Sequence, residues 1–111
     1  MRRLILLAAI VPGLTYAADP HAPAKAMIGA QCGSCHSVPG VSGAVGKVGP
    51  SLRNIARQSM IAGKLPNTPD NMARWIMHPQ QVDPGNAMPE MGLTGSQART
   101  IAAYLETLDR Q

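Results

Sequence analysis

Phenylalanine is absent from the 111 residues, and one Trp and two Tyr are the only aromatics. A core of ordinary composition cannot be filled this way. A domain of this size buries a modest share of its surface and normally needs disulfides, a metal or a large prosthetic group to hold it. Charge is also sparse, with ten Lys plus Arg against six Asp plus Glu, a formal net of +4. Setting aside Arg2 and Arg3 at the extreme N-terminus leaves eight basic residues against six acidic, a net of +2. No basic stripe runs along the chain and too few aromatics are available to stack on bases, so no nucleic-acid partner is expected. Neither Gly46-Lys47 nor Gly63-Lys64 lies in a phosphate-binding G-x-x-x-x-G-K-[ST] loop. There is no Ser/His/Asp set, no cluster of carboxylates, no alternating strand pattern and no heptad repeat. The length leaves room for one small domain, not for an enzyme with its own cofactor domain.

What is present begins with a leader. Met1-Arg2-Arg3 is a charged start, followed by the apolar run Leu4 to Val11 and then Pro12-Gly13. This is the pattern of a secretory signal peptide, too short in its apolar part to be a permanent transmembrane anchor. Small residues at Ala17 and Ala18 offer the cleavage site, so residues 1–17 are expected to leave and residues 18–111 to form the working domain. An uncleaved N-terminal anchor is the alternative. Either way the domain is expected outside the cytoplasm, in the periplasm or an equivalent exported location.

Two cysteines in an exported chain would ordinarily pair as a disulfide. Their setting argues against it. Cys32-Gly33-Ser34-Cys35-His36 is the C-x-x-C-H attachment signal for c-type haem. On a helix, positions i and i+3 fall on one face, so both thiols can reach the two vinyl groups of one porphyrin. His36 then delivers its imidazole to the iron from the same side. A thioredoxin-type redox pair lacks its βαβ context here, and a zinc site lacks two further ligands at suitable spacing. A covalently held macrocycle would also replace the missing aromatic core.

The opposite face of the iron needs a ligand from elsewhere, with Met60, Met72, Met77, His78, Met88 and Met91 as candidates. Met72 falls at helical spacing with Trp75 and Ile76 and reads as a core residue. His78 reads as a side chain at a helix C-terminus. Met88 lies in Pro84-Gly85-Asn86-Ala87-Met88-Pro89, where prolines pre-set the backbone and little freedom is left to lose on ligation. It is the first choice, and Met91 the second. If Met88 only packs under its loop, the iron stays open.

Three helices are expected. The first spans Ala24 to Cys35 and the second Thr68 to His78, with Thr68 as N-cap and Pro69 at the first helical position. The third runs from Gly95 to Leu108, capped by Thr94 with Gln97 completing a capping box. Small residues Ala26, Gly29 and Ala30 are expected to let the last helix cross the first. A shorter turn is placed at Leu52 to Gln58, and no strand is expected. Gly40, Gly43, Gly46 and Gly49 recur every third residue and read as a tight loop.

Taken together, Cys32 to His36, Val48-Gly49-Pro50-Ser51-Leu52, Trp75-Ile76 with Pro79, Asn86-Ala87-Met88-Pro89 and Ala102-Ala103-Tyr104-Leu105 resemble a class I cytochrome c over residues 24–108. The resemblance implies an all-α cytochrome c fold, with three main helices and shaped loops wrapped around one covalently bound haem c. It implies that the carbonyl of Pro50 orients His36, that the Trp75 indole meets a haem propionate, and that Tyr104 packs at the crossing of the first and last helices. The aromatic that the family usually carries four residues before the first Cys is Ile28 here. Only Lys25, Lys47 and Lys64 stand in for the family's lysine ring, so a strongly steered dock onto an acidic partner is not expected. The expected function is one-electron transfer, without catalysis, by a monomer moving between a respiratory or dehydrogenase donor and a terminal oxidase or similar acceptor. The alternatives are a cytochrome subunit of a larger dehydrogenase or oxidase complex, or an open-iron haem enzyme or sensor.

Overall fold

The computed structural model describes residues 4–13 and 17–109. Four helices, one short hairpin and a single 3-10 turn make up the domain: α1 Ala22–Gln31, the turn Ile55–Arg57, β1 Met60–Ile61, β2 Leu65–Pro66, α2 Pro69–Met77, α3 Pro79–Val82 and α4 Gly95–Leu105. Leu4 to Leu7, Ile10 and Val11 are exposed. Among the described residues no helix is long and apolar enough to cross a membrane.

The first helix starts and stops earlier than the sequence pattern predicts. Pro23 sits in its first turn, where a missing N–H costs nothing. Its ladder ends when the amides of both Cys32 and Gly33 donate to the carbonyl of Ile28, at 2.8 and 2.9 Å. Gly and Ser are poor helix formers. The C-x-x-C-H segment therefore leaves the helix and continues as turns, with the amides of Cys35 and His36 returning to Cys32 O at 3.1 and 2.9 Å. The two thiols are not on a helix face, and the loop brings them together instead.

Thr68 caps α2 through its hydroxyl, which accepts the Asn71 amide at 3.1 Å, and Pro69 is the first helical residue. His78 precedes a proline and is driven out of helical geometry. Pro79 then opens α3, a four-residue turn absent from the sequence reading. Thr94 and Gln97 form both halves of the capping box on α4, at 3.2 and 2.9 Å. That helix stops at Leu105 rather than Leu108, because Thr107 and Leu108 donate three residues back and tighten the chain. Leu108 is still buried, and its carbonyl accepts the Ala56 amide at 3.0 Å, tying the chain end to the 3-10 turn.

The hairpin corrects the expectation of no strand. Met60 pairs with Pro66 and Ile61 with Leu65, antiparallel. Ala62 and Gly63 turn it with φ of 52° and 67°, the left-handed geometry whose twist suits a tight hairpin. Two-residue strands are below the length at which alternation can be read, and Ala62 adopts its turn at a cost of about 1–2 kcal/mol.

The core is built on α4, which packs against both α1 and α2. Ala98, Ile101, Ala102, Tyr104 and Leu105 meet Ala24 and Ile28 of α1 and Met72, Ala73 and Ile76 of α2 in one buried cluster. The residues that permit the crossing differ from those expected. Ala26 and Ala30 are exposed, and a side chain at Gly29 would meet Val41 and Ser42 rather than α4. The small residues buried on α1 and α4 are Ala24, Ala98 and Ala102. Tyr104 lies at the N-terminal end of α1, 5.4 Å from the His21 ring, and its hydroxyl donates to the Pro39 carbonyl. Ile101 has no exposed surface, so Ile101→Ala should lower the stability of the holoprotein by about 2–5 kcal/mol in denaturant unfolding. Ala103→Ser on the exposed face of α4 should stay within about 0.5 kcal/mol. Equal effects at the two positions would refute this account of the core.

Candidate haem-binding site

Cys32 and Cys35 are both half-buried free thiols with no disulfide between them. Burial pushes the Cys32 thiol up from its ordinary range, with the Cys35 thiol adding to the effect. His36 follows with its Nδ1 at 2.7 Å from the carbonyl oxygen of Pro50. A carbonyl only accepts, so Nδ1 carries the proton and the lone pair of the neutral ring lies on Nε2. That is the tautomer in which an imidazole ligates a metal through Nε2, with its other nitrogen fixed by a backbone acceptor.

The loop that brings Pro50 to this position is shaped by missing side chains. A Cβ at Gly49 would overlap the His36 ring, lying 2.7 Å from Nδ1 and 2.9 Å from Nε2. A Cβ at Gly46 would lie 2.5 Å from backbone atoms of Ser34 and Cys35. The Gly49 amide donates to Cys35 O at 2.7 Å and the Gly46 amide to Gly33 O at 3.1 Å. Of the every-third glycines, Gly40 faces the Tyr104 hydroxyl, whereas Gly43 meets open space and serves only a turn, at φ of 76°. The loop wraps the C-x-x-C-H segment itself, and Val38, Val41 and Ala44 anchor it in the core.

Met88 belongs to a second unit, built on α3. Its amide donates to Asn86 Oδ1 at 2.7 Å and its carbonyl accepts from Gln80 Nε2 at 2.9 Å. Asn86 Nδ2 donates to the carbonyls of Pro79 and Asp83 at 3.0 and 2.7 Å. Met88 and Met91 are both half-buried, Met72 is buried as a helix-face residue, Met77 packs against the core and Met60 is exposed. The half-buried His78 pairs with the exposed Glu90 at 3.5 Å. Trp75, on α2, is half-buried against the core, and its indole N–H has no hydrogen-bond partner among the described residues. Sequence reasoning missed Gln80 altogether, since one amide side chain in a His-Pro-Gln-Gln run carries no motif.

No cluster of three or more His, Cys, Asp and Glu that could hold a bare metal ion exists among the described residues. The donor set fits a haem: two free thiols three residues apart, and an imidazole whose free nitrogen is the ligating one. Residues 22–109 match the cytochrome c family. The chain belongs to that family. It is a class I c-type cytochrome with the cytochrome c fold, and the family implies covalent haem c, electron transfer and redox partners. The chain is also similar to a cytochrome c oxidase subunit 2 from Alkalihalophilus pseudofirmus, with 35% identity over 78 residues. That match covers 69% of this cytochrome and spans 22% of the relative's own length.

The contacts of Gly49 in the loop and Gly29 in α1 predict opposite outcomes. Gly49→Ala must displace the His36 ring or the loop, and should destabilise the holoprotein by about 1–3 kcal/mol. Gly29→Ala makes only ordinary contact, 3.6 Å from Val41, inside α1. It should gain about 0.5–1 kcal/mol from helix propensity. Thermal unfolding of both variants checks the pair, and a neutral Gly49→Ala would overturn the close packing on His36.

Proposed function

We infer that this cytochrome is an exported one-electron carrier, with haem c attached through Cys32 and Cys35 and its iron held between His36 and Met88. The observation that carries the reading is the His36 imidazole, whose Nδ1 is committed to the Pro50 carbonyl at 2.7 Å while Nε2 remains for a metal. Pro50 is the orienting partner of that ring. Bound haem supplies the one-electron couple of its iron, and a thioether ligand raises its reduction potential. The chain's part would be to hold the iron through His36 and Met88, each on a constrained segment, leaving no place for a substrate and little to rearrange when the charge changes. The Trp75 indole, with no acceptor among the described residues, is assigned to a haem propionate. Residues 1–17 are assigned to a cleaved leader and the carrier to the periplasm or its equivalent, as a monomer.

The donor is read as a quinol-oxidising complex or a periplasmic dehydrogenase. The similarity to part of an oxidase subunit favours a terminal oxidase as acceptor. The same similarity supports a second reading, in which the chain is a cytochrome subunit held permanently in a larger oxidase. Co-purification with oxidase subunits at high salt would decide for the subunit, and a free monomer on gel filtration for the carrier.

The ligand assignment is tested by replacement. In Met88→Ala, the ferric thioether-to-iron charge-transfer band should vanish and the potential should fall, since a ligand that favours ferrous iron is gone. Cyanide should then bind readily. Met91→Ala should keep the band and lose only packing. Loss of the band in Met91→Ala alone would move the ligand three residues on, and a wild-type protein without the band would favour an open-iron enzyme or sensor.

A further inference from the structure

The Met88 loop has no core of its own. Pro84, Gly85, Ala87, Pro89 and Glu90 are exposed, and no residue from 83 to 91 is fully buried. Prolines limit its freedom, but they do not attach it to the rest of the fold. Ion pairs tie Asp83 to Lys64 and Glu90 to His78 at its two ends, and two carboxamides hold the stretch between them, Asn86 from inside the loop and Gln80 from α3. Gln80, in the first turn of α3, donates through Nε2 to the carbonyls of Asn86 at 2.7 Å and of Met88 at 2.9 Å. Its Oε1 accepts the Gly85 amide at 3.0 Å. The reverse orientation of the amide would set an acceptor against two carbonyls and a donor against an N–H, so the assignment is fixed by its neighbours. The Gln80 backbone amide donates to Glu90 Oε1 at 3.2 Å, so the same residue also holds the far end of the loop.

We propose that Gln80 is the positioning residue for the sixth iron ligand: its carboxamide fixes the backbone of residues 85–88 and so the place from which the Met88 thioether reaches the iron. This rests on Met88 being that ligand. Asn86 complements it from inside the loop, bridging the Met88 amide to the carbonyls of Pro79 and Asp83. Gln80 acts from the helix. The Met88 carbonyl has its bond from Gln80 and its amide has its bond from Asn86, so both backbone groups of the ligand residue are held by amide side chains. Without Gln80, Gly85, Asn86 and Met88 each lose a partner, and the loop can swing the thioether off the iron without any helix unfolding.

The test compares the ferric holoprotein with Gln80→Ala, Gln80→Glu and a control, Asn67→Ala. Asn67 makes the equivalent double contact elsewhere, donating to the carbonyls of Ile55 and Gln58 at 2.9 and 2.7 Å. The readouts are the rate at which cyanide bleaches the charge-transfer band and the hydrogen exchange of the Gly85 amide. In Gln80→Ala, the cyanide rate should rise by about tenfold or more, the scale of one or two lost net hydrogen bonds, and Gly85 should lose protection. Gln80→Glu keeps the acceptor for Gly85 but sets an oxygen against two carbonyls, and should speed cyanide entry further. Asn67→Ala should lower the unfolding midpoint without changing either readout. Wild-type cyanide rates in both Gln80 variants, or rates that only match the Asn67 control, would overturn the proposal. If wild-type protein has no band that Met88→Ala removes, the ligand reading itself fails and takes the proposal with it. That outcome is visible before any Gln80 variant is measured.

Discussion

Everything on the thiol side of the fold follows from the way His36 is fixed. The imidazole has a backbone carbonyl on one nitrogen and the bare Cα of Gly49 against its ring. For both contacts to exist, residues 46–50 must run directly across the C-x-x-C-H segment, which only glycine allows at 46 and 49. The loop from Ser37 to Val45 closes on itself to reach that path, through the Val38 amide on Ala44 O at 3.0 Å and a bridge between Ser37 and Val45. Val38 and Val41 enter the core beside α1, whereas Val45 is exposed. Cys32, Cys35 and His36 are thus held by sterics and local backbone bonds, within 19 residues of chain.

The Met88 side is held differently. Its loop is pinned by the amide side chains of Gln80 and Asn86, and α3 carries the first of these only because Pro79 restarts a helix after His78 has ended one. The two sides share no hydrogen bond among the described residues. What relates them is α4, which packs on α1 next to the cysteines and on α2 next to α3. The apolar cluster of Ile28, Ile76, Ile101 and Leu105 therefore bears on the proposed function, because it sets the spacing between the two segments to which the iron ligands are assigned.

Much of this was legible in the residues. Thr68-Pro69 and the Thr94/Gln97 box mark their helix starts because capping is local chemistry, and both are found where the side chains point to them. The role of Pro50 was implied by family resemblance, and the 2.7 Å contact is the geometry such a role requires. Helix ends were less legible. The helical spacing of Cys32 and Cys35 extends the expected first helix through them, yet turns of similar i to i+3 reach replace it there. The hairpin was invisible because its strands are two residues long. Ala26 and Ala30 misled because small size alone does not say which face of α1 is buried. Gln80 was illegible for a deeper reason: its partners are three backbone groups, and backbone groups leave no signature in a sequence.

This contrast also explains the sparse aromatic content. A side held by close backbone approach needs glycine, and a side held by carboxamides needs Gln and Asn, and neither calls for large rings. The apolar bulk that an ordinary domain of this size takes from Phe is supplied when the thiols carry their macrocycle, and the protein's own core is a small cluster centred on α4. A chain so built has its stability and its redox chemistry in the same contacts. With His36 and Met88 as the proposed ligands, a shift of either would loosen the group that completes the core, and a loosening of the core would change the ligand spacing. Little nuclear motion on the His36 side would then be a consequence of folding, because Gly49 and the Pro50 carbonyl fix that ring, whereas the Met88 side depends on the carboxamides of Gln80 and Asn86.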